Sequence, residues 1–182
     1  MNTYCYKDYT IDLYETSSYS FNSTDNKNYD KIIEVETTNF NKCIELEISQ
    51  NDSIKTVLLI VPFYTPINAC IVVNDNGLFL MLDKIICLFN IETLEISKTK
   101  ELDAMGTMFE AHLYGNDFIL YGEMEIYRID SNLNVVWKFS ARDIFVRYQG
   151  EEPAFLMKKD RICLFDFLDN YYEIDYDGKL LN

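Results

Sequence analysis

Apolar and polar positions alternate along much of this chain with the period of two that β-strands show. The clearest examples are residues 32–36 (IIEVE) and 43–48 (CIELEI), in which apolar and acidic side chains alternate. Half-buried antiparallel strands have this pattern, because successive side chains point to opposite faces of the sheet. From Val57 onward the apolar runs lengthen, which predicts strands that are covered on both faces.

One pattern of side chains occurs three times in the second half of the chain. Residues 79–89 read FLMLDKIICLF and residues 155–165 read FLMKKDRICLF, with a more divergent copy, ILYGEMEIYRI, at 119–129. An Asn or Asp follows each copy: Asn90, Asp130 and Asp166. Spacings of 40 and 36 residues are typical of a repeated supersecondary unit. The pattern predicts equivalent antiparallel hairpins, in which three residues occupy corresponding strand positions: Cys87, Tyr127 and Cys163.

These patterns predict an all-β fold with little or no helix. Antiparallel hairpins or blades repeat at a period of 36–40 residues over 77–182, and more divergent strands occupy 31–76. The repeats predict either a propeller-like arrangement of about four small sheets or open stacked sheets. Residues 1–30, rich in Tyr, Ser and Asn, predict one or two strands and a mobile loop at 17–30. The length favours a single domain, residues 1–182.

Two segments need separate interpretation. Residues 56–73 (TVLLIVPFYTPINACIVV) are apolar enough to suggest a membrane span, but two prolines divide them into runs that are too short. We predict two buried strands joined by a proline turn. Residues 103–112 (DAMGTMFEAH) have some helical propensity, and Gly106 in the middle of the segment favours a loop.

Residues 126–140, IYRIDSNLNVVWKFS, resemble the repeat of the pyrroloquinoline-quinone-type and WD-type β-propellers. In those repeats a strand ends at Asp, a polar turn follows, and the next strand carries Trp. The resemblance covers residues 78–181 and implies a propeller-like fold. Trp137 takes the place of the repeated tryptophan, and its position in the alternating run 135–139 predicts that it is buried.

Charge is the second informative property of the sequence. Thirty acidic residues stand against sixteen basic ones, a net charge of −14. Such a field repels nucleic acid and anionic membranes and favours encounter with a basic protein partner. The five cysteines lack CxxC spacing, and the beginning of the chain does not resemble a signal peptide. Both observations predict a cytoplasmic protein with reduced, mostly buried thiols.

Motifs for catalysis are not found in the sequence. The chain has a single histidine, His112, and no GxSxG, GxGxxG, GxxxxGK[ST] or HExxH motif. The acidic segment 166–178 ends in DYDG, which resembles the start of a calcium loop. The segment lacks the carboxylate that binds calcium at the twelfth position of such a loop. The pattern Asp-x-Asp-Gly is also common in ordinary hairpin turns. We therefore predict a protein that is not an enzyme and has no cofactor or bound metal.

Two sets of residues are candidates for binding a partner. The first is a run of five acids: Asp166, Asp169, Glu173, Asp175 and Asp177. The second is Arg142 with Asp143, inside the distinctive stretch 137–150 (WKFSARDIFVRYQG). This stretch is either a recognition edge of Arg and aromatic anchors or strand core, with Arg142 and Asp143 as an ion pair in a turn. The second interpretation is favoured, because most aromatic residues in strands belong to the core.

The sequence leads to one functional hypothesis and one alternative. The hypothesis is a non-catalytic cytoplasmic binding protein that neutralises a basic protein such as a toxin. In its size, acidity and strand content the chain is similar to the bacterial immunity proteins that are paired with secreted toxins. The alternative is a propeller-like domain that binds a small ligand or acts as an enzyme; converging carboxylates in a deep pocket would favour it.

Overall fold

The computed structural model describes residues 2–35, 42–62, 69–75, 77–147 and 153–182. These residues form sixteen β-strands, arranged in four sheets, and no helix. The chain divides into two compact units, residues 1–101 and 102–182, which are described one at a time. The predicted single domain stays a prediction, whereas the predicted all-β class with four small sheets is confirmed.

The first unit contains two sheets. A five-stranded sheet has the order β1-β2-β4-β5-β3. Its strands are β1 (Asn2–Tyr6), β2 (Tyr9–Thr16), β3 (Lys31–Glu34), β4 (Lys42–Gln50) and β5 (Ser53–Val61). A four-stranded antiparallel sheet follows in chain order: β6 (Ile71–Asn74), β7 (Gly77–Leu82), β8 (Ile85–Asn90) and β9 (Glu95–Glu101). Residues 57–61 and 78–82 are buried throughout, so these two strands are covered on both faces as the sequence predicts.

The second unit also contains two sheets, both antiparallel. The first is built in chain order from β10 (Met108–Tyr114), β11 (Asp117–Gly122), β12 (Glu125–Ile129) and β13 (Val135–Ser140). The last comprises β14 (Phe155–Met157), β15 (Ile162–Phe165) and β16 (Tyr171–Ile174), and Leu180 bridges to Ile174 beside β16. Buried side chains of both sheets form one core around Phe145, which is fully buried.

The predicted hairpin repeat is confirmed. Residues 79–90, 119–129 and 155–166 each contain two consecutive antiparallel strands. The residues predicted to correspond lie opposite the middle residue of the apolar triplet in every copy: Cys87 opposite Leu80, Tyr127 opposite Leu120, and Cys163 opposite Leu156. The shared sequence strings therefore reflect a shared strand register.

A side-chain cap ends each hairpin. Asn90 Oδ1 accepts hydrogen bonds from the backbone N–H groups of Glu92 and Thr93, both at 2.9 Å. Asp130 and Asp166 accept in the same way from N–H groups two and four residues later, at 2.8–3.0 Å. Asn and Asp favour such turns because a short polar side chain satisfies the backbone donors that the strand leaves unpaired. We call these segments the capped turns.

Two local predictions require correction, and a third agrees with the structure. Alternation over residues 32–36 predicts an antiparallel strand, but β3 pairs in parallel with β5; residue 36 lies outside the described residues. The segment 103–112 is a loop only as far as residue 107, because β10 begins at Met108. Residues 56–73 include most of β5 and β6, the two strands predicted there, and most of the proline turn between them lies outside the described residues.

Trp137 is half-buried, so the prediction that it is buried is wrong. Its neighbours Val135 and Val136 are 40% and 51% exposed, because β13 is an edge strand. The indole Nε1 donates to the carbonyl oxygen of Tyr176 at 2.9 Å, and Arg128 Nη1 donates to the same oxygen at 2.7 Å. Trp137 therefore packs against the edge of the core and fastens the turn at residues 175–178.

Gly178 permits this contact, and replacing it should be costly. Its φ is +80°, and a Cβ there would lie 2.7 Å from the Trp137 ring. Gly115 provides a matched control, because its φ is +60° and a Cβ there would have no other atom within 4 Å. We expect Gly115→Ala to lower the free energy of unfolding by about 1–2 kcal/mol through backbone strain alone. Gly178→Ala should cost a further ~1–3 kcal/mol through overpacking. Urea denaturation measures both, and equal losses would contradict the packing argument.

Candidate binding site

Asp166, the first of the predicted contact acids, is fully buried. Its carboxylate accepts hydrogen bonds from the backbone N–H groups of Leu168 and Asn170, from Asn170 Nδ2 and from the Tyr172 hydroxyl, at 2.9–3.1 Å. Burial opposes the charge, but these hydrogen bonds outweigh it and hold the pKa of Asp166 below its ordinary value. Asp166 is thus a structural cap, and its assignment as a partner contact is corrected.

Two further acids of the predicted set also make internal contacts. Glu173 accepts from the Tyr171 hydroxyl at 2.6 Å and pairs with Arg161 Nη1 at 2.9 Å. Asp175 Oδ1 accepts from the backbone N–H groups of Asp177 and Lys179, at 3.0 and 2.8 Å. A spacing of two and four residues is the same as at Asp130 and Asp166, so Asp175 shapes its own turn.

The remaining two acids extend into solvent. The Asp169 side chain is 61% exposed and that of Asp177 is 90% exposed. Asp169 pairs with Arg147 Nε at 3.0 Å, and Asp177 lies 3.5 Å from Arg128 Nη1. At such exposure these ion pairs hold the side chains weakly. Asp169 and Asp177 are therefore the members of the predicted set that a partner can reach.

Exposed apolar side chains accompany Asp169 in the capped turn at residues 166–170. Phe167 is 48% exposed and Leu168 is 68% exposed. Further exposed apolar side chains belong to the same sheet and its flanking residues: Leu156, Tyr171, Leu180 and Leu181. An apolar tip next to an accessible carboxylate is a common composition for a protein-binding surface.

A groove of about 500 Å³ lies between the end of β13 and β16. It is lined by Phe139, Ser140, Ala141, Arg142, Asn170, Tyr171, Tyr172 and Leu180. Phe139 and Tyr172 meet edge to face, with ring centroids 6.0 Å apart, and Tyr172 also packs edge-on against buried Phe145. The capped turn at 166–170 fixes one wall of the groove, because Asp166 holds both Asn170 and Tyr172.

Arg142 is exposed at this groove, and its predicted ion pair with Asp143 is not found among the described residues. Asp143 Oδ1 instead accepts a hydrogen bond from the backbone N–H of Ile144 at 2.8 Å. The backbone N–H of Arg142 donates to the hydroxyl oxygen of Tyr172. Burial and the carboxylate of Asp166 raise the pKa of Tyr172, and Arg142 offsets part of that effect. The structure thus brings Arg142 close to the acidic stretch, but it does so through Tyr172.

Two buried carboxylates that the sequence analysis did not single out lie elsewhere. Glu45 is 3% exposed on β4 and accepts hydrogen bonds from Tyr14, Lys27 and Tyr29. Glu125 is 1% exposed on β12 and bonds the Tyr127 hydroxyl and the Met105 N–H, with Lys138 Nζ 2.8 Å from Oε1. Both carboxylates are enclosed by their partners and stabilise local structure.

His112 lies on the edge strand β10, where it bonds Glu110 Oε2 at 2.8 Å and stacks on Phe155. Within the described residues, no group of three or more His, Cys, Asp or Glu side chains is placed to hold a metal ion. The same residues contain no helix that is long and apolar enough to cross a membrane. Three of the cysteines are buried as predicted: Cys70, Cys87 and Cys163.

Comparison with known proteins bears on the fold. No protein family matches the sequence, and no curated protein is found to be similar to it. Among solved structures, the chain is similar to BamB from Moraxella catarrhalis, with a TM-score of 0.52 and 11% identity over 93% of this chain and 51% of that one. A protein of unknown function from Bacteroides caccae has a TM-score of 0.42 and 14% identity, covering 78% of this chain and 61% of that one.

The likeness to BamB, a β-propeller-type protein, shows the fold alone: this is an all-β chain with a propeller-like fold. The chain spans about half the length of BamB. The second similarity is too low to carry an argument. The predicted resemblance to propeller repeats is thereby supported, and the similarity to immunity proteins stays a prediction.

Proposed function

We propose that this protein is a non-catalytic cytoplasmic binding protein that engages a basic protein, in the manner of an immunity protein that neutralises a toxin. The net charge of −14 carries the proposal. A field of this sign accelerates encounter with a basic partner, whereas apolar contacts formed after docking determine how long the complex lasts.

The arrangement of the last sheet supports the proposal. Asp169 and Asp177 direct accessible carboxylates outward, and Phe167 and Leu168 present apolar surface in the same turn as Asp169. The turn is internally braced by Asp166, so little conformational entropy is lost when a partner binds it. A rigid turn with an apolar tip and an acidic neighbour suits a partner whose surface combines Lys or Arg with apolar side chains.

The test measures association kinetics with the protein encoded by the neighbouring gene, across a range of salt concentrations. We expect the association rate to fall steeply as salt rises, because a Debye length of about 10 Å at 0.1 M screens long-range attraction. Replacing both Asp169 and Asp177 by Lys should lower the association rate by about tenfold at low salt. The dissociation rate should change less.

A matched control separates local from global charge. Asp25 and Asp52 are exposed in the first unit, and replacing both by Lys changes the net charge by the same amount. This control should reduce the association rate much less than the Asp169 and Asp177 pair does. A rate that does not depend on salt, equal effects of the two pairs, or turnover of a substrate by the purified protein would each contradict the proposal.

A further inference from the structure

The groove between β13 and β16 has a composition that the proposed function does not use. Its walls are aromatic, with Phe139 and Tyr172 held edge to face at 6.0 Å by the core behind them. Its volume of about 500 Å³ is in the range of small-molecule sites. Polar side chains line the groove as well, at Ser140, Arg142 and Asn170. Such a groove favours a ligand that combines an aromatic ring with one polar end.

The charge of that polar end follows from the arginines. The chain has four arginines, and three of them pair with carboxylates: Arg128 with Asp117, Arg147 with Asp169, and Arg161 with Asp160 and Glu173. Within the described part of the chain, no ion pair is found for the fourth, Arg142, which lines the groove. Arg142 is therefore the residue through which the groove attracts an anion.

The surrounding charges disfavour an anion that carries more than one negative charge. Asp166 lies behind Tyr172 as a buried carboxylate, Asp143 is adjacent to Arg142, and the protein as a whole carries −14. These charges repel a phosphate or a dicarboxylate more strongly than a monocarboxylate. The planar fork of Arg matches a carboxylate with two parallel hydrogen bonds.

We propose that this groove binds a small aromatic monocarboxylate. The carboxylate pairs with the guanidinium of Arg142, and the ring packs against the exposed sides of Phe139 and Tyr172. Ser140 also lines the groove, and its hydroxyl can hydrogen-bond a polar substituent on the ring. This site uses different residues from Asp169 and Asp177. The proposal is therefore tested independently of the proposed protein partner.

The test uses three probes of the same size: 3-phenylpropanoate, its neutral amide and the cation 3-phenylpropylamine. Each is titrated into ¹⁵N-labelled full-length protein at neutral pH, and amide shifts are followed by NMR. The carboxylate should bind saturably and shift the amides of residues 140–142 and 170–172. It should bind about tenfold more tightly than the amide, since a charge-assisted bidentate pair is worth roughly 1.5–3 kcal/mol, about tenfold or more. The amine should not bind in the groove.

Variants test whether the charge of Arg142 causes the preference for the carboxylate probe. Arg142→Gln should weaken binding of the carboxylate probe about tenfold and leave binding of the amide probe nearly unchanged. Arg142→Lys should retain part of the difference in affinity between the two probes. Arg161→Gln is the control, because Arg161 lies in the same unit but pairs with Asp160 and Glu173 and does not line the groove.

Several results would overturn the inference. They are the absence of saturable binding at millimolar probe, equal affinity of carboxylate and amide, shifts outside the groove, or an Arg142→Gln protein that binds as the parent does. The comparison of the three probes on the parent protein needs no variant. It therefore tests the preference for a carboxylate even if a substitution disturbs folding.

Discussion

Replacing Asp166 by Ala should lower the free energy of unfolding of the second unit by about 3–5 kcal/mol. The carboxylate is fully buried and accepts hydrogen bonds from Leu168, Asn170 and Tyr172. Alanine leaves those donors unsatisfied, and an unsatisfied donor costs far more than an average hydrogen bond contributes. Denaturant titration with circular dichroism or fluorescence measures the loss.

Asp130 supplies the matched comparison for this prediction. It caps the equivalent turn through Asn132 and Asn134, but it is only half-buried. Asp130→Ala should therefore cost about 1–2 kcal/mol, the value of an ordinary cap. If the two variants lose equal stability, burial of the Asp166 carboxylate is not what makes it important.

Replacing Glu45 by Gln should destabilise the first unit by about 2–3 kcal/mol at neutral pH. Burial alone would raise the pKa of Glu45, but hydrogen bonds from Lys27, Tyr14 and Tyr29 outweigh it, and the pKa lies below its ordinary value of 4.5. The ionised carboxylate thus stabilises the fold at pH values above 4.5, and this contribution disappears as the pH falls through the lowered pKa. The difference in free energy of unfolding between the parent protein and Glu45→Gln should therefore shrink as the pH falls.

Denaturation curves at pH 7 and at successively lower pH test this dependence. Glu47→Gln is the control, because Glu47 lies two residues further along β4 and is buried in the parent protein less completely than Glu45. Glu47→Gln should lower the free energy of unfolding by less than about 0.5 kcal/mol, as surface substitutions usually do. A Glu45→Gln deficit that stays constant into the acid range would show that the charge of Glu45 does not stabilise the fold.

The hairpin repeat could be predicted from the sequence because both its strands and its register are local. Identical strings around Phe79 and Phe155 specify the same pairing, and Asn90 and Asp166 mark the same turn. The parallel pairing of β3 with β5 could not be predicted in this way. Alternation shows that Ile32 and Ile33 form a strand, but it does not show which distant strand they join. The prediction for Trp137 is wrong because alternation does not distinguish an edge strand from a central one.

The candidate site was only partly predictable for a related reason. Composition singles out the acidic stretch and Arg142, but it does not show that Asp166 points inward. The spacing of Asp130 with Asn134 and of Asp166 with Asn170 is a signal that could have identified both caps. The aromatic walls of the groove depend on how β13 packs against β16, which no local pattern specifies. The sequence around Glu45 is that of an ordinary solvent-facing residue, because the loop at 17–30 that covers it is distant in sequence.

The capped turns also bear on how this scaffold could evolve. In each one the carboxylate or amide at the end of the strand bonds the backbone of the turn itself, so the geometry does not depend on the side chains at the tip. Residues such as Phe167 and Leu168 contribute little to the fold, as their exposure shows. The tips can therefore change identity under selection while the sheets stay the same, which allows closely similar scaffolds to acquire different binding specificities.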